Sequence, residues 1–183
     1  MGLVSSVTTL LDWWNGENAR QRHIWPGMNS LNAGGKWQPA EIVNQIKATR
    51  RYPEAGHVHW SISALMKNNA LDSALMAEVY QKPALIPASP WLNSTSPPPP
   101  KLTVSAGKRS AHIAWKNAVG EPARWWVLQS RTNGTWTTEI FPASRTDCYL
   151  DHASPDAVSL RAASRVGNLS EPVVWKKEMK NEK

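Results

Sequence analysis

The run Gly56-His57-Val58-His59-Trp60-Ser61 sets two imidazoles at alternate positions of an extended stretch and follows them with an indole and a hydroxyl. Alternate residues of a strand face the same side. His57 and His59 could therefore ligate a metal, with His23 as a third ligand if its strand lies adjacent, because zinc sites use at least three protein ligands. The plainer reading is a satisfied barrel histidine, and no metal or other cofactor is required by the rest of the chain. An earlier run, Arg22-His23-Ile24-Trp25-Pro26-Gly27, also ends on an aromatic. Indoles beside Asn and Ser suit sugars: the ring covers a CH face while polar groups take up hydroxyls. The candidate substrate-binding residues are Trp25, Met28 and Asn29 after the first run, and His59, Trp60 and Ser61 after the second. Pro26, Gly27 and Ser63 lie nearby. The alternative is that both indoles merely close the end of a barrel.

Cleaving a glycosidic bond takes two carboxylates flanking it. Neither run is followed closely by Asp or Glu. Asp12, Glu17 and Glu54 precede the runs, and Glu41 and Asp72 fall at or inside later helices, so no catalytic residue is assigned. Nucleophile-elbow and phosphate-loop motifs are also missing.

Helices must position these runs. Val7, Leu10, Leu11 and Trp14 form one face of a helix over Ser6–Trp14, with Gly16 at its stop. The spacing predicts a strand over Arg22–Trp25 and a loop over Met28–Lys36. A second helix opens at Pro39, buries Ile42, Val43, Ile46 and Ala48, carries Arg50-Arg51 at its C-terminus and stops at Tyr52-Pro53. A strand over Gly56–Ser63 follows. A third helix, Asn69–Tyr80, turns Leu71, Leu75, Met76 and Val79 inward, and 83–91 returns irregularly. Two helix-then-strand units ending on Trp fit consecutive units of a barrel whose strand ends face a ligand.

Asn93-Ser94-Thr95-Ser96 and four consecutive prolines form a stiff extended linker, 93–100. Beyond it seven short alternating runs predict a small β-sandwich, with Asn133-Gly134 as a hairpin turn. A charged tail, 179–183, closes the chain.

Net charge is +7, but the basic residues are scattered and no nucleic-acid motif is present; attraction to anionic wall polymers or membrane surfaces is the secondary possibility. Eleven Trp against one Phe serve cores and sugar platforms alike. The single cysteine, Cys148, lies in an alternating strand and is expected to be a buried thiol. No apolar run approaches the roughly 20 residues of a membrane span, and Met1–Ser6 lacks the features of an export signal.

Residues 101–178 resemble a fibronectin type III module: Trp115 occupies the core position of its second strand, Tyr149-Leu150 precede the loop into the sixth, and Ser159–Pro172 follow its late strand-turn-strand pattern. Asp156-Ala157 replace the aromatic usual before that strand. Residues 1–92 resemble the C-terminal end of the glycosyl-hydrolase-like 10 family. The resemblance is carried by Leu11-Asp12-Trp13-Trp14, Glu17-Asn18, Arg22–Gly27, Glu41-Ile42, Gln45-Ile46, Arg50, Gly56–Ser61, Leu65-Met66, Pro83–Pro87 and Pro90-Trp91. Trp60 stands where Phe is expected. The family implies a bacterial (β/α)8 TIM barrel, often secreted or lipid-anchored, acting on glycans. It also implies a fibronectin-like module after the barrel. The expected architecture is thus α/β plus all-β: the closing part of a barrel followed by a sandwich. The expected activity is glycoside hydrolysis of a polysaccharide such as bacterial cell-wall peptidoglycan, at the periplasm or cell envelope. On this expectation the acids lie upstream, and the chain itself supplies binding surface and is inactive alone, its first half being either marginally stable by itself or self-associating. The rival expectation is a non-catalytic carbohydrate- or protein-binding module.

Overall fold

The computed structural model describes residues 3–52, 55–151 and 154–177, with side chains from Ser6 onward. Pro53, Glu54 and the 179–183 tail lie outside the described residues. The chain forms two compact units, Met1–Lys82 and Pro83–Lys183.

The first unit runs α1 (Leu3–Glu17), β1 (Gly27–Met28), a 3-10 turn (Ser30–Asn32), α2 (Pro39–Thr49), β2 (Val58–His59), α3 (Ile62–Lys67) and α4 (Asn69–Glu78). β1 and β2 are parallel, with Gly27 opposite Val58 and Met28 opposite His59. The amides of Gly56, Val58 and Trp60 donate in turn to the carbonyls of Ile24, Pro26 and Met28. Pro39 begins α2 where a missing amide costs nothing. α2 buries Ile42, Val43 and Ile46, which pack with Met28, Leu71, Leu75 and Val79 into one core. The Asn68 side chain accepts the Leu71 amide and so caps α4. It also donates to the Ala33 carbonyl at 2.7 Å, and this proximity explains Gly34: a Cβ there would lie 2.6 Å from the Asn68 Nδ2, at a φ of +87°.

Several expectations for this unit are corrected. The first strand is Gly27–Met28, not Arg22–Trp25. The Asn18 side chain bonds both the amide and the carbonyl of Arg22, so the chain is still turning at Arg22. The second strand ends at His59, and Ile62 and Ser63 belong to α3. Of the expected α1 face only Leu11 is buried, at 2% exposure, while Leu10 and Trp14 are 55% and 50% exposed. Met76 of α4 is exposed as well. The spacing of these residues is helical, but half or more of each side chain stays uncovered. Two parallel strands make one βαβ unit, so a complete TIM barrel is not what the described residues form.

The second unit has β3 (Lys101–Ala106), β4 (Ala111–Lys116), β5 (Trp125–Thr132), β6 (Thr135–Pro142), β7 (Asp147–Leu150), β8 (Ala157–Ala163) and β9 (Val173–Lys176). They form two antiparallel sheets, β3-β4-β7 and β6-β5-β8-β9. Strand alternation sends Ile113, Trp115, Trp126, Leu128, Cys148, Val158 and Leu160 inward. Trp115 meets Trp126 edge-on at 6.3 Å and donates its Nε1–H to the Arg145 carbonyl. Asn133 and Gly134, both at positive φ, close the β5–β6 hairpin. This three-plus-four layout is a fibronectin-type-III-like sandwich.

The proline-rich segment differs from a free linker. Pro97 and Pro100 are buried. The Asn168 amide donates to the carbonyls of Asn93 and Thr95, and the Ser89 amide to Val166. Residues 83–100 therefore count with the sandwich. Gly167, at φ +83°, lets this segment approach: a Cβ there would meet the Ile86 carbonyl oxygen at 2.7 Å. Proline removes amides that would otherwise need partners, and Asn168 satisfies two of the carbonyls that remain.

Candidate functional site

Exposure alternates along both runs of the first unit. Ile24, Pro26, Met28 and Ser30 are covered, whereas Trp25, Gly27 and Asn29 are exposed. His57 and His59 are half-buried, whereas Val58 and Trp60 are exposed. Register matches these sides, so the helices cover one face of the parallel pair and leave the other open.

The covered side holds a chain of polar groups. Ser30 Oγ lies 2.7 Å from His59 Nδ1. His59 Nε2 and His57 Nε2 lie 2.6 Å and 2.5 Å from the Tyr80 hydroxyl. Burial, with the charges of His59 and Arg50 second, lowers the His57 pKa to about 4. Burial also lowers His59 and raises Tyr80, the latter opposed by Arg50. Both imidazoles are neutral near pH 7, so the phenol donates to one Nε2 and accepts from the other. Three of the pair's four ring nitrogens are thus bonded to Tyr80 or Ser30. His23 instead stacks on Trp25, with ring centres 5.8 Å apart. No group of three His, Cys, Asp or Glu assembles among the described residues. Tyr80, Ser30 and Arg50 were missed as site residues from sequence. The signal available was that two half-buried imidazoles on one strand face call for polar partners.

On the open side Trp60 stands out. Its backbone is held on both sides, its amide donating to the Met28 carbonyl at 2.8 Å and its carbonyl accepting the Leu31 amide at 3.3 Å. Its indole is 69% exposed. The Trp60–Ser61 peptide is cis, and Ser61 Oγ pairs with Ser63 Oγ at 2.9 Å. Extending the register places Asn29 beside Trp60, at the C-terminal ends of the strands. Trp25 falls opposite Gly56, four residues earlier, or about 13 Å along the strand at ~3.3 Å per residue. A Cβ on Gly56 would lie 2.9 Å from the Trp25 ring, so this glycine makes room for the indole.

Of the six sequence-predicted contacts, Trp60 and Asn29 thus share one end of the open face, with the half-buried Ser61 next to Trp60 in the chain. Met28, 1% exposed, faces the helices, and His59 is held by Ser30 and Tyr80. Trp25 instead lines an apolar groove of about 350 Å3 with Val7, Leu10, Trp14, Ile24 and Pro26.

The described carboxylates of this unit serve elsewhere. Asp12 accepts from Tyr52, Glu41 from Gln45, and Glu78 pairs with Lys47. Asp72 lies in the first turn of α4 and Glu17 ends α1.

No family model matches the chain. Over 107 residues, 54% of the chain, it is 35% identical to the glycosyl hydrolase YngK of Bacillus subtilis (strain 168). It spans about a fifth of that relative's length, 21%. Among solved structures it is similar to the fn3 domain of human collagen alpha-1(XX) chain, at 19% identity and a TM-score of 0.39, covering 48% of this chain and 89% of that one. A two-domain fibronectin type III segment of chicken tenascin is 20% identical with a TM-score of 0.38, covering 45% and 51% respectively.

Proposed function

We propose that the first unit contributes a glycan-binding surface to a glycosyl-hydrolase-like (β/α)8 barrel, and that the carboxylates cleaving the glycan are supplied from outside this chain. All-parallel sheets are almost always covered on both faces. Here one face of the pair is helix-packed and the other is open, as expected of strands whose second face lines a barrel lumen. The 35% identity to a protein named a glycosyl hydrolase supports the same reading. The observation that carries it is Trp60: a fixed backbone presenting a free indole at the C-terminal strand ends, where barrels bind their ligands. Asn29 and Ser61 supply hydroxyl partners beside the ring. The proposed ligand is a polysaccharide of the bacterial cell wall, and the proposed location of the intact protein is the cell envelope.

Titrating chitooligosaccharides and peptidoglycan glycan strands into the full chain tests this by indole fluorescence and by product analysis. Binding without turnover is expected, and Trp60→Ala should lose most of it while unfolding at the wild-type temperature. Turnover by the pure chain, or undiminished binding by the Trp60→Ala protein, would overturn the proposal.

A further inference from the structure

The outer face of β3-β4-β7 carries Lys101, Thr103 and Ser105 from β3, His112, Ala114 and Lys116 from β4, and Asp147 and Tyr149 from β7, opposite to the residues that enter the core. The register sorts them into rows. Lys101 faces Lys116; Thr103, Ala114 and Asp147 share the next row; Ser105, His112 and Tyr149 share the third. Ala114 is the smallest side chain of its row and sits at its centre, so the face dips there. The depression, about 470 Å3, is walled by the lysine pair, Thr103, Thr146, His112 and Asp147. Along one wall His112 Nε2 lies 3.0 Å from Asp147 Oδ2, and the imidazole stacks on Tyr149 at 4.5 Å and 20°.

The opposite wall is unbalanced. Like charges directly across an antiparallel pair repel, and neither Lys101 nor Lys116 has an acidic partner among the described residues. The unit as a whole is basic, with thirteen Lys and Arg against eight Asp and Glu in 83–183. A ligand matching this seat needs an anionic group at one end and hydroxyls at the other, where an Asp147 carboxylate would reject a second anion. The depression has no exposed aromatic anchor: Ala114 lies at its centre, and Trp115, which also lines it, is buried in the core.

We propose that this depression binds a carboxylated saccharide, its carboxylate between the Lys101 and Lys116 ammonium groups and its ring hydroxyls against Asp147, Thr103 and Thr146. The site lies on a different unit from Trp60 and stands independently of the barrel proposal.

The test is an amide NMR titration of the full chain with the disaccharide N-acetylglucosaminyl-N-acetylmuramic acid. Chitobiose, which has a free 3-hydroxyl in place of the whole O-lactyl group and therefore no carboxylate, is the neutral probe. Shifts are expected at Thr103, Ala114 and Thr146, with chitobiose binding about tenfold more weakly. A Lys101→Gln/Lys116→Gln double variant should lose the same factor while melting no lower than wild type, since it removes a repulsive pair. Equal affinity for chitobiose, unchanged binding by the double variant, or shifts confined to other surfaces would overturn the assignment. So would acetate reproducing the whole effect, or tighter binding of a triglutamate peptide, which would make the site one for acidic peptides.

Discussion

Lowering the pH from 6.5 to 5 should destabilise the first unit through its paired histidines. The sign follows from the direction of the shifts. His57 and His59 have folded-state pKa values below the ordinary 6.5, so protonation is harder in the folded than in the unfolded chain. Stability is full above the unfolded pKa and is lost as the pH falls toward about 4, the folded value of His57. Across that window the unfolded imidazole takes up its proton while the folded one does not. At 1.36 kcal/mol per pH unit this amounts to ~2 kcal/mol for His57. The group is only half-buried, so solvent screening reduces it to about 1 kcal/mol. His59 adds a contribution of the same sign. Carboxylates titrate mainly lower, near pH 4, which is why the window stops at 5. Urea unfolding of the full chain, followed by hydrogen exchange at Ile42, Ile46 and Leu71, separates this unit from the sandwich. His57→Gln should flatten the slope. Stability that holds or rises down to pH 5, or a slope unaffected by His57→Gln, would refute the reasoning.

Three further outcomes are expected. Tyr80→Phe removes the hydroxyl shared by both imidazoles and should cost the first unit about 2 kcal/mol in chemical denaturation at pH 7.5; a change below measurement error would show that water replaces the phenol freely. Gly34→Ala should cost about 1–2 kcal/mol, because it places a side chain at positive φ against the Asn68 amide; an unchanged melting temperature would contradict this. Cys148 is buried in the core, and burial, with Glu139 next, pushes its pKa up to about 11. A colourimetric thiol reagent at pH 8 should therefore react only as fast as the sandwich opens; rapid stoichiometric labelling of the native chain would count against it.

The sandwich was largely legible in the sequence, since each strand alternates cleanly and the Asn133-Gly134 turn admits few conformations. α2 was legible for the same reason: Pro39 fixes its start and Ile42, Val43 and Ile46 its face. α1 was legible as a helix but not in its burial, because spacing identifies an apolar face without saying what lies against it. The strand at Gly27–Met28 was misplaced because the Asn18 side chain holds a turn as far as Arg22, where β-propensity suggests a strand, and this shift moved Trp25 away from the strand ends. The role of Tyr80 depends on a contact across twenty-one residues, which no local pattern encodes. The proline-rich segment looked like a spacer by composition, since composition does not register the Asn168 amide waiting for its carbonyls.

That last attachment decides where the sandwich can be excised. Beginning a truncation at Lys101, as strand boundaries would advise, strips the Asn168 amide and the Val166 carbonyl of their partners and bares the ground beneath Pro97 and Pro100. Starting at Pro83 keeps them. The shorter piece should melt several degrees below the longer one, and the segment in question functions as a belt around the module it precedes.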